Sequence, residues 1–450
     1  MSSSPVGSHA VVIGAGMGGL AAAAAVADHF DRVTVLDRDS LPLAPSHRSG
    51  TPQSRHVHVL LAGGLQALCE LLPGFEDDLL AAGAVPLRGG IDVRTERPGF
   101  DPFPVRDLSM RVYAMSRPRL EFTVRERLRK TKNVEIRSLA RVTEIVPGPD
   151  GSKATGVRFV EQDGTAGLFA SDLIIDSSGR GAPTIALLKA TDRQEPEETQ
   201  IGVDVGYTTA RYRIPSGQRN PWKAVLHLPD APATSRGAFL YPMEGDKWIV
   251  ALGGRGDEKP PGDEAGFLRW ARLLRTPTVS DAISGAERID DLVRYSFPKS
   301  VRRHFARLRS FPAGLLPLGD AICVFNPVYG QGMTVAAQEA VLLRRLLGEA
   351  SGSTALSPRL AEDFFAGVES ILETPWAMAA LPDLVFPRAT GDRPNDFAQT
   401  LQFGAAVTRL AAREPDVHKI MAEVGNLLRP RSAYREPELM RRVLAEMTVR

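Results

Sequence analysis

The stretch VVIGAGMGGLAAAAAV, residues 11–26, constrains the fold of this chain more than any other segment. Residues 9–13 are an apolar run that ends in a glycine turn, which is typical of a buried strand. We predict a helix over residues 17–30 and a second strand over residues 32–36. A strand, a helix and a strand in this order form a βαβ unit, so we predict a parallel sheet covered by helices.

The glycines of this turn have the spacing of a dinucleotide-binding loop. Gly14, Gly16 and Gly19 fit the pattern G-x-G-x-x-G, and Gly18 lies in the same turn. Glycine permits the tight turn, the close approach of the backbone to a pyrophosphate and the packing of helix on sheet. Asp37 ends the second strand, where a carboxylate accepts hydrogen bonds from an adenosine ribose. This loop by itself does not distinguish NAD from FAD.

A second block, PLGDAICVFNPVYGQGMTVAAQEAV at residues 317–341, favours the longer of these two cofactors. It places an acidic residue after an apolar strand, followed by a proline, two glycines and a helix. The carboxylate can hold a hydroxyl chain, and the N–H groups at the helix start can meet an electron-rich ring edge. We therefore predict FAD, bound by Gly319, Asp320, Pro327, Gly330, Gly332 and Met333.

The predicted fold class is α/β, with a Rossmann-like FAD-binding domain interleaved with a mixed β-sheet substrate domain and followed by a C-terminal helical region. A chain of 450 residues is too long for one hydrophobic core, which favours several domains. Residues 134–146 predict one strand, residues 202–254 predict alternating strands, and four prolines interrupt the predicted helices after residue 350: Pro358, Pro375, Pro382 and Pro430. We assign residues 8–90, 111–200 and 299–350 to the FAD-binding domain, 91–110 and 201–298 to the substrate domain, and 351–450 to the helical region.

Three motifs resemble those of the FAD-dependent monooxygenases of the para-hydroxybenzoate hydroxylase superfamily: GAGMGG, DSSGRGAPT at residues 176–184, and LGDA followed by NPVYGQGM. The resemblance implies that Asp176 lies near the cofactor pyrophosphate and NAD(P)H, although Ser177 stands where glycine is usual. It also implies that Asp320 binds the flavin ribityl chain. The segment SRPRLEFTVRERL is similar to the family segment whose arginine contacts FAD, which implies that role for Arg117.

Three further residues complete the predicted cofactor contacts: Arg38, Arg48 and Val142. For Arg48 the alternative is a solvated loop arginine. His56 and His58, two residues apart, are predicted to line or brace the flavin pocket, together with Tyr241 and Pro327. Two histidines without a carboxylate or cysteine partner seldom form a metal site, so we predict no metal.

Two blocks within this superfamily are similar to the bacterial epoxidases of polyether biosynthesis, and more distantly to squalene epoxidase: HRSGTPQSRHVHVLLAGG at residues 47–64 and FNPVYGQGM. Cys323 stands where aromatic hydroxylases usually carry a histidine. The resemblance implies an antibiotic-type secondary metabolism in which NAD(P)H reduces the flavin, O₂ forms a flavin C4a-hydroperoxide, and an apolar polyketide or terpenoid alkene is epoxidised. Epoxidation needs no protein base, which agrees with a sequence that offers no obvious acid–base pair.

Three alternatives stay open at this stage. The first is a hydroxylase of an aromatic polyketide or indole-like ring, and the second is a flavin reductase of the geranylgeranyl-reductase type. The third is a prenyl-chain carrier of the Rab escort type that lacks a working flavin. The sequence leaves the choice of NADH or NADPH undecided.

The composition limits the partners and the location of the chain. The formal net charge is only +2, so we predict no nucleic-acid partner. Two cysteines cannot form a disulfide framework, and residues 1–10 lack the features of a signal peptide, so we predict a cytoplasmic protein. No apolar run is long enough to span a membrane, although residues 377–386 leave peripheral membrane contact open. The predicted partner is an apolar small molecule, and the oligomeric state stays undetermined.

Overall fold

The computed structural model describes residues 5–349 and 356–448, so the predicted domain boundary between residues 350 and 351 lies outside them. The strands in chain order are β1 (Gly7–Ile13), β2 (Phe30–Leu36), β3 (Val85–Arg88), β4 (Val93–Glu96), β5 (Arg111–Ala114), β6 (Val134–Arg137), β7 (Arg141–Pro147), β8 (Ala154–Val160), β9 (Ala166–Ala170), β10 (Leu173–Asp176), β11 (Glu198–Arg213), β12 (Ala224–His227), β13 (Gly237–Met243), β14 (Lys247–Arg255), β15 (Val293–Arg303), β16 (Leu315–Pro317) and β17 (Cys323–Val324). The helices are α1 (Met17–Val26), α2 (Ala62–Leu71), α3 (Phe75–Ala81), α4 (Arg117–Leu128), α5 (Ala182–Ala190), α6 (Glu264–Ala271), α7 (Thr278–Ser284), α8 (Gly332–Glu349), α9 (Leu360–Leu384), α10 (Phe397–Arg413), α11 (Pro415–Gly425) and α12 (Pro437–Thr448).

A parallel five-stranded sheet in the order β16-β10-β1-β2-β6 forms the centre of the nucleotide-binding part. Val11 on β1 pairs with Ile174 on one side and with Thr34 on the other. The central strands are almost entirely buried. Helices α1 and α8 cover one face of the sheet, and the three-stranded sheet β7-β8-β9 covers the other, as a parallel sheet requires. The carboxyl ends of β1, β2, β10 and β16 therefore meet at one edge, where ligands bind in such folds.

A second, seven-stranded sheet in the order β17-β15-β11-β14-β13-β12-β4 lies beyond this edge. It is antiparallel except for β4, which pairs in parallel with β12. One face packs on α6 and α7, and Trp248 and Leu240 lie in that core. The other face carries Tyr207, Thr209 and Tyr241, on alternate positions of their strands, as the two-residue period of a strand dictates. The predicted α/β class with an interleaved mixed sheet is confirmed.

Two predictions about individual elements were wrong. The predicted helix over residues 17–30 ends at Val26, and Phe30 instead begins β2, because Phe30 pairs with Gly7 in the sheet. The predicted strand over residues 134–146 is two strands, β6 and β7, which belong to different sheets. Leu139, between them, has a positive φ of 58°, so the chain turns sharply at that point.

The prediction that prolines interrupt the C-terminal helices was also wrong for Pro375 and Pro382, which lie inside the 25-residue helix α9. A proline inside a helix costs about 3 kcal/mol or more. Burial of the apolar face of α9, which includes Phe364 and Leu372, opposes this cost. Within the described ranges, no helix is both long enough and apolar enough to cross a lipid bilayer.

Candidate functional site

The first glycine loop connects β1 to α1 at the carboxyl edge of the parallel sheet. Gly14 has a φ of +99°, and a Cβ on Gly19 would lie 1.8 Å from the carbonyl oxygen of Gly14. Gly14 and Gly19 are therefore required by the turn and by the packing of α1 on it. A Cβ on Gly16 would meet no protein atom within 4 Å, and no side chain caps α1 there. The open space at Gly16 leaves the first N–H groups of α1 available to an anion.

Asp37, at the end of β2, uses its carboxylate to hold this loop. Its Oδ2 accepts a hydrogen bond from the backbone N–H of Ala15 at 2.6 Å, and its Oδ1 accepts one from that of Asp39 at 2.8 Å. Arg48 Nη1 lies 3.3 Å from Oδ2. The observed contacts give Asp37 a positioning role, and its contact with a ribose stays a prediction.

The side chain of Arg48 is buried, so its interpretation as a solvated loop arginine was wrong. Its Nη1 contacts Asp39 at 2.8 Å, its Nε donates to Glu121 Oε1 at 2.8 Å, and its Nη2 donates to the carbonyl of Ala15 at 3.2 Å. Burial opposes the charged form, but Glu121 and Asp37 outweigh burial and raise the pKa of Arg48. Arg48 thus connects the glycine loop, the turn after β2 and α4.

Arg117 begins α4 and is buried beside this cluster. Its Nη2 lies 3.1 Å from Glu121 Oε2, whereas its Nη1 has no hydrogen-bond partner. Burial lowers the pKa of Arg117, while Glu121 and the carboxylate of Asp320 favour its charged form. A buried guanidinium N–H without an acceptor is costly unless a ligand supplies one.

Asp320 lies in a 3-10 turn directly after β16. Its side chain is exposed, yet desolvation raises its pKa to about 6, with Arg117 and Arg303 acting in the opposite direction. The carboxylate is desolvated because many protein atoms surround it, and the buried Arg117 is among its neighbours. Behind it, the N–H of Gly319 donates to Glu339 Oε2 at 2.6 Å.

The second glycine loop, residues 326–332, leads from β17 into α8. Pro327 begins a 3-10 turn that ends at Gly330, whose φ is +66°. Gly332 opens α8, and an ideal Cβ there would lie 3.8 Å from Asp320 Oδ1. Ala336 on α8 packs against both Gly18 of the first loop and Gly319. The structure therefore brings the two glycine loops, Asp320 and the start of α8, with the half-buried Met333, to one cleft.

Asp176 lies behind the first glycine loop, and its predicted position near the pyrophosphate and NAD(P)H stays a prediction. Its Oδ2 accepts hydrogen bonds from the N–H of Thr184 at 3.0 Å and from its hydroxyl at 2.6 Å, and its Oδ1 accepts one from the N–H of Ser178. The carboxylate is fully buried and closes its own turn. This turn lies against the first glycine loop, since a Cβ on Gly14 would be 2.6 Å from the carbonyl oxygen of Ser177. The observed contacts therefore give Asp176 a role in shaping the loop from behind.

Arg38 lines a cavity of about 580 Å³ with Asp39 and Arg141 beyond the end of β2. Val142, the predicted contact, is half-buried on β7 and packs into the core behind that cavity. Its neighbour Arg141 lines the cavity, and the cofactor contact of Val142 stays a prediction.

His56 and the face of the second sheet that carries Tyr207, Tyr241 and Tyr295 form a wall near Asp320, which we call the roof. His56 Nδ1 lies 2.8 Å from Thr209 Oγ1, and its ring packs edge-on against Tyr207, with centroids 4.9 Å apart. Tyr207 stacks on Tyr295. Burial lowers the pKa of His56 to about 4, and it raises the pKa values of both tyrosines. Tyr241 lies in a hydrophobic cluster on the same sheet face, and burial raises its pKa to about 12.

His58 lies between the roof and Arg117. Burial lowers its pKa to about 3, and the neighbouring Arg117 acts in the same direction. Its Nδ1 lies 3.0 Å from the carbonyl oxygen of His56. Because a carbonyl can only accept, Nδ1 carries the proton, and Nε2 is left as an acceptor.

Comparison with known proteins identifies the family of the chain and its cofactor. A family model described as FAD binding domain matches residues 8–362. A Mycobacterium tuberculosis protein, Protein Rv3254, is 31% identical over 407 residues, which are 85% of this chain and 82% of that protein. The kynurenine 3-monooxygenase of Myxococcus xanthus is 27% identical over 365 residues, 76% of this chain and 71% of that enzyme. The chain belongs to the FAD-dependent monooxygenases of the para-hydroxybenzoate hydroxylase type.

The solved structure of the flavin-dependent brominase Bmp2 superimposes with a TM-score of 0.68, covering 98% of this chain and 99% of that chain. At 15% identity this likeness concerns the fold alone. Monooxygenases of this family use NAD(P)H and O₂ together with FAD, so the predictions of enzyme class and cofactors are confirmed.

Three features of the cleft fit FAD. The open space at Gly16, beside the start of α1, suits the pyrophosphate, and the carboxylate of Asp320 suits the hydroxyl groups of a ribityl chain. The unpartnered Nη1 of Arg117 requires an acceptor, which phosphate or flavin oxygens would supply. Sequence reasoning missed the supporting carboxylates Glu121 and Glu339, because an acidic residue on a helix without a motif is usually a surface residue.

Proposed function

We propose that this FAD-dependent monooxygenase epoxidises an alkene in an uncharged, apolar substrate of the polyketide or terpenoid class. One observation carries the proposal: the roof is a buried aromatic wall in which Tyr207 stacks on Tyr295 and packs edge-on against the ring of His56. The pKa of His56 is about 4 and that of Tyr241 is about 12, and burial raises the pKa values of Tyr207 and Tyr295. Such a wall favours an apolar substrate and offers no strong base.

In this proposal, one group of residues binds the cofactor and another binds the substrate. The glycine loops, Arg117 and Asp320 would hold FAD, which supplies the transfer of electrons from NAD(P)H and the activation of O₂. The aromatic roof excludes water and orients the substrate. His58 Nε2 can accept one hydrogen bond from a cofactor N–H or a substrate hydroxyl. Alkene, O₂, NAD(P)H and a proton give epoxide, water and NAD(P)⁺, so no protein side chain has to remove a proton from the substrate.

Hydroxylation of an aromatic polyketide or indole-like ring is the second candidate. The stacked pair Tyr207 and Tyr295, with ring centroids 5.3 Å apart, provides a flat aromatic surface that also suits a ring. Phenol hydroxylation benefits from a base that forms the phenolate. The nearest neutral bases, His56 and His58, have depressed pKa values, which makes them weak bases and favours epoxidation.

The test uses purified enzyme with FAD, NADH or NADPH, and ¹⁸O₂. Geranylgeraniol and a conjugated triene ester are the alkene probes, and 1-naphthol and indole are the ring probes. We expect an epoxide that carries one ¹⁸O atom from an alkene probe and slower or absent turnover of the ring probes. A hydroxylated ring as the main product would favour the second candidate. If the enzyme instead reduces the double bond of an alkene probe without O₂, the proposed epoxidation is wrong and the protein is a reductase.

The proposal includes a cytoplasmic location. Both cysteines, Cys69 and Cys323, have free thiols, and burial raises the pKa of the Cys323 thiol well above its usual value. Fractionation of cells that produce the protein would test the location, and recovery in the periplasm or culture medium would contradict it.

A further inference from the structure

A buried carboxylate in the C-terminal helical region contacts the second glycine loop. Asp383 lies in the last turns of α9 and has no exposed surface. Tyr329 donates its hydroxyl to Asp383 Oδ1 at 2.6 Å, and Asn326 Nδ2 lies 3.1 Å from both carboxylate oxygens. Arg255 forms an ion pair with the same carboxylate. Donors from the glycine loop and from the second sheet therefore converge on one side chain of α9.

Arg255 links this carboxylate to the substrate sheet. It ends β14, donates to the carbonyl of Val203 on β11 at 3.3 Å, and lies 4.6 Å above the ring of Phe386. Removing one partner of a buried ion pair leaves an uncompensated charge in a medium of low polarity. The position of Asp383 is thus fixed on the sheet side as well as on the loop side.

Asn326 transmits this position to the backbone of the loop. It is fully buried, and its Oδ1 accepts a hydrogen bond from the N–H of Val328 at 3.2 Å while its Nδ2 donates to Asp383. Because the oxygen and the nitrogen of the amide each have a partner of the right kind, one orientation of the side chain is favoured. The N–H of Tyr329 returns to the carbonyl of Asn326 at 3.2 Å. The turn that precedes α8 therefore depends on Asn326, and Asn326 depends on Asp383.

We propose that Asp383 is a positioning residue for FAD: it fixes the 326–332 loop and thereby the N–H groups at the start of α8, which would hold the flavin. The C-terminal helical region is then part of the cofactor site and not an appendage to it. The segment that contains Asp383, residues 377–386, turns Ala379, Ala380 and Leu384 toward the protein interior. The proposal rests on the family assignment and not on the substrate, so its failure leaves the proposed epoxidation untouched.

The experiment compares three variants with the parent enzyme. Asp383→Asn removes the charge at nearly constant size, and Tyr329→Phe removes one loop contact and leaves the ion pair with Arg255. Glu96→Gln is the matched control, since Glu96 is an equally buried carboxylate that accepts hydrogen bonds from Thr278 and Arg94 outside the cleft. The dissociation constant of FAD is measured by quenching of flavin fluorescence, and the flavin midpoint potential by equilibration with a reference dye.

We expect Asp383→Asn to raise the dissociation constant of FAD about ten-fold and Tyr329→Phe to raise it less, because the first change removes the charge that all three donors share and the second removes a single hydrogen bond. Both variants should shift the midpoint potential, whereas Glu96→Gln should lower the melting temperature without either effect. Unchanged FAD affinity and potential in folded Asp383→Asn would overturn the proposal. If Asp383→Asn does not fold, the same unchanged values in Tyr329→Phe would overturn it.

Discussion

Gly16 and Gly19 belong to one loop but meet different surroundings. A Cβ on Gly19 would lie 1.8 Å from the backbone oxygen of Gly14, whereas a Cβ on Gly16 would meet no protein atom within 4 Å. Gly16 has an extended backbone with φ of −73°, which alanine also adopts. We therefore expect Gly16→Ala to leave folding unchanged and to weaken FAD binding about ten-fold or more, because the methyl group occupies the space that suits the pyrophosphate.

Gly19→Ala provides the comparison, and we expect it to lower the melting temperature of the protein itself. Thermal unfolding monitored by circular dichroism and FAD titration of both variants separate the two effects. If Gly16→Ala binds FAD with the parent affinity, the pyrophosphate does not lie at this loop.

Glu339 makes stability depend on pH. It is fully buried, and burial raises its pKa from 4.5 to about 8, with the nearby Asp320 acting in the same direction. Between these two pH values the folded state binds the proton and the unfolded state releases it, so this group lowers the free energy of unfolding as pH rises. Glu339→Gln keeps an acceptor for the N–H of Gly319 and removes the titration.

The stability of Glu339→Gln relative to the parent should therefore increase from about pH 5 to about pH 8. Urea denaturation of both proteins at saturating FAD measures this difference in the free energy of unfolding. Other titrating groups contribute equally to both proteins, so their effects cancel in the difference. Parallel stability curves across this range would show that Glu339 does not titrate as its burial requires.

At the scale of elements, the segment between β4 and β5 holds the C-terminal helices. Arg106 donates to the carbonyls of Ala411 and Ala412, both at 2.7 Å, and to that of Arg413 at 3.2 Å, so it caps the last turn of α10. Phe103 packs into the same cluster. We expect Arg106→Ala to lower the free energy of unfolding by about 1–3 kcal/mol, because the carbonyls at a buried helix end lose a charged donor.

Hydrogen exchange should then increase in the last turn of α10 and in residues 97–106, while the central parallel sheet stays protected. Arg435→Ala, at an exposed position in the same region, is the control. Equal exchange in both variants would show that α10 is held by its apolar face alone.

The elements that the sequence predicted well are those specified by neighbouring residues. β1, α1 and β2 follow from a buried apolar run, a glycine turn and a second apolar run, each within a few residues. The end of α1 was placed too late because the pairing of Phe30 with Gly7 is a tertiary contact that no local pattern shows. Pro382 was interpreted as a break for the same reason, since burial of α9 outweighs its local cost.

At the scale of the whole molecule, the cofactor site could be predicted only where it is written as a motif. Gly16 and Asp320 stand in glycine-rich blocks whose spacing reveals them. Asp383 does not belong to such a motif. Its partners Asn326 and Tyr329 lie 57 and 54 residues away in the chain, so no local pattern reveals the contact. Side chains that hold a site from behind are specified by the folded topology, and a single sequence does not record their partners.

The cleft is assembled from segments that are distant in the chain, and this predicts a coupling between FAD and global stability. Gly16 follows β1, Arg117 begins α4 and Asp320 follows β16, so only the complete fold presents all three. A ligand that binds the folded state alone stabilises it by RT ln(1 + [L]/Kd), about 2.7 kcal/mol at a hundred-fold excess over Kd. We expect the melting temperature to rise steadily with added FAD, and β11 of the substrate sheet to gain protection from hydrogen exchange together with β1. An increase in hydrogen-exchange protection that is confined to the parallel sheet would show that the two sheets unfold independently. A melting temperature that does not change with added FAD would contradict the coupling.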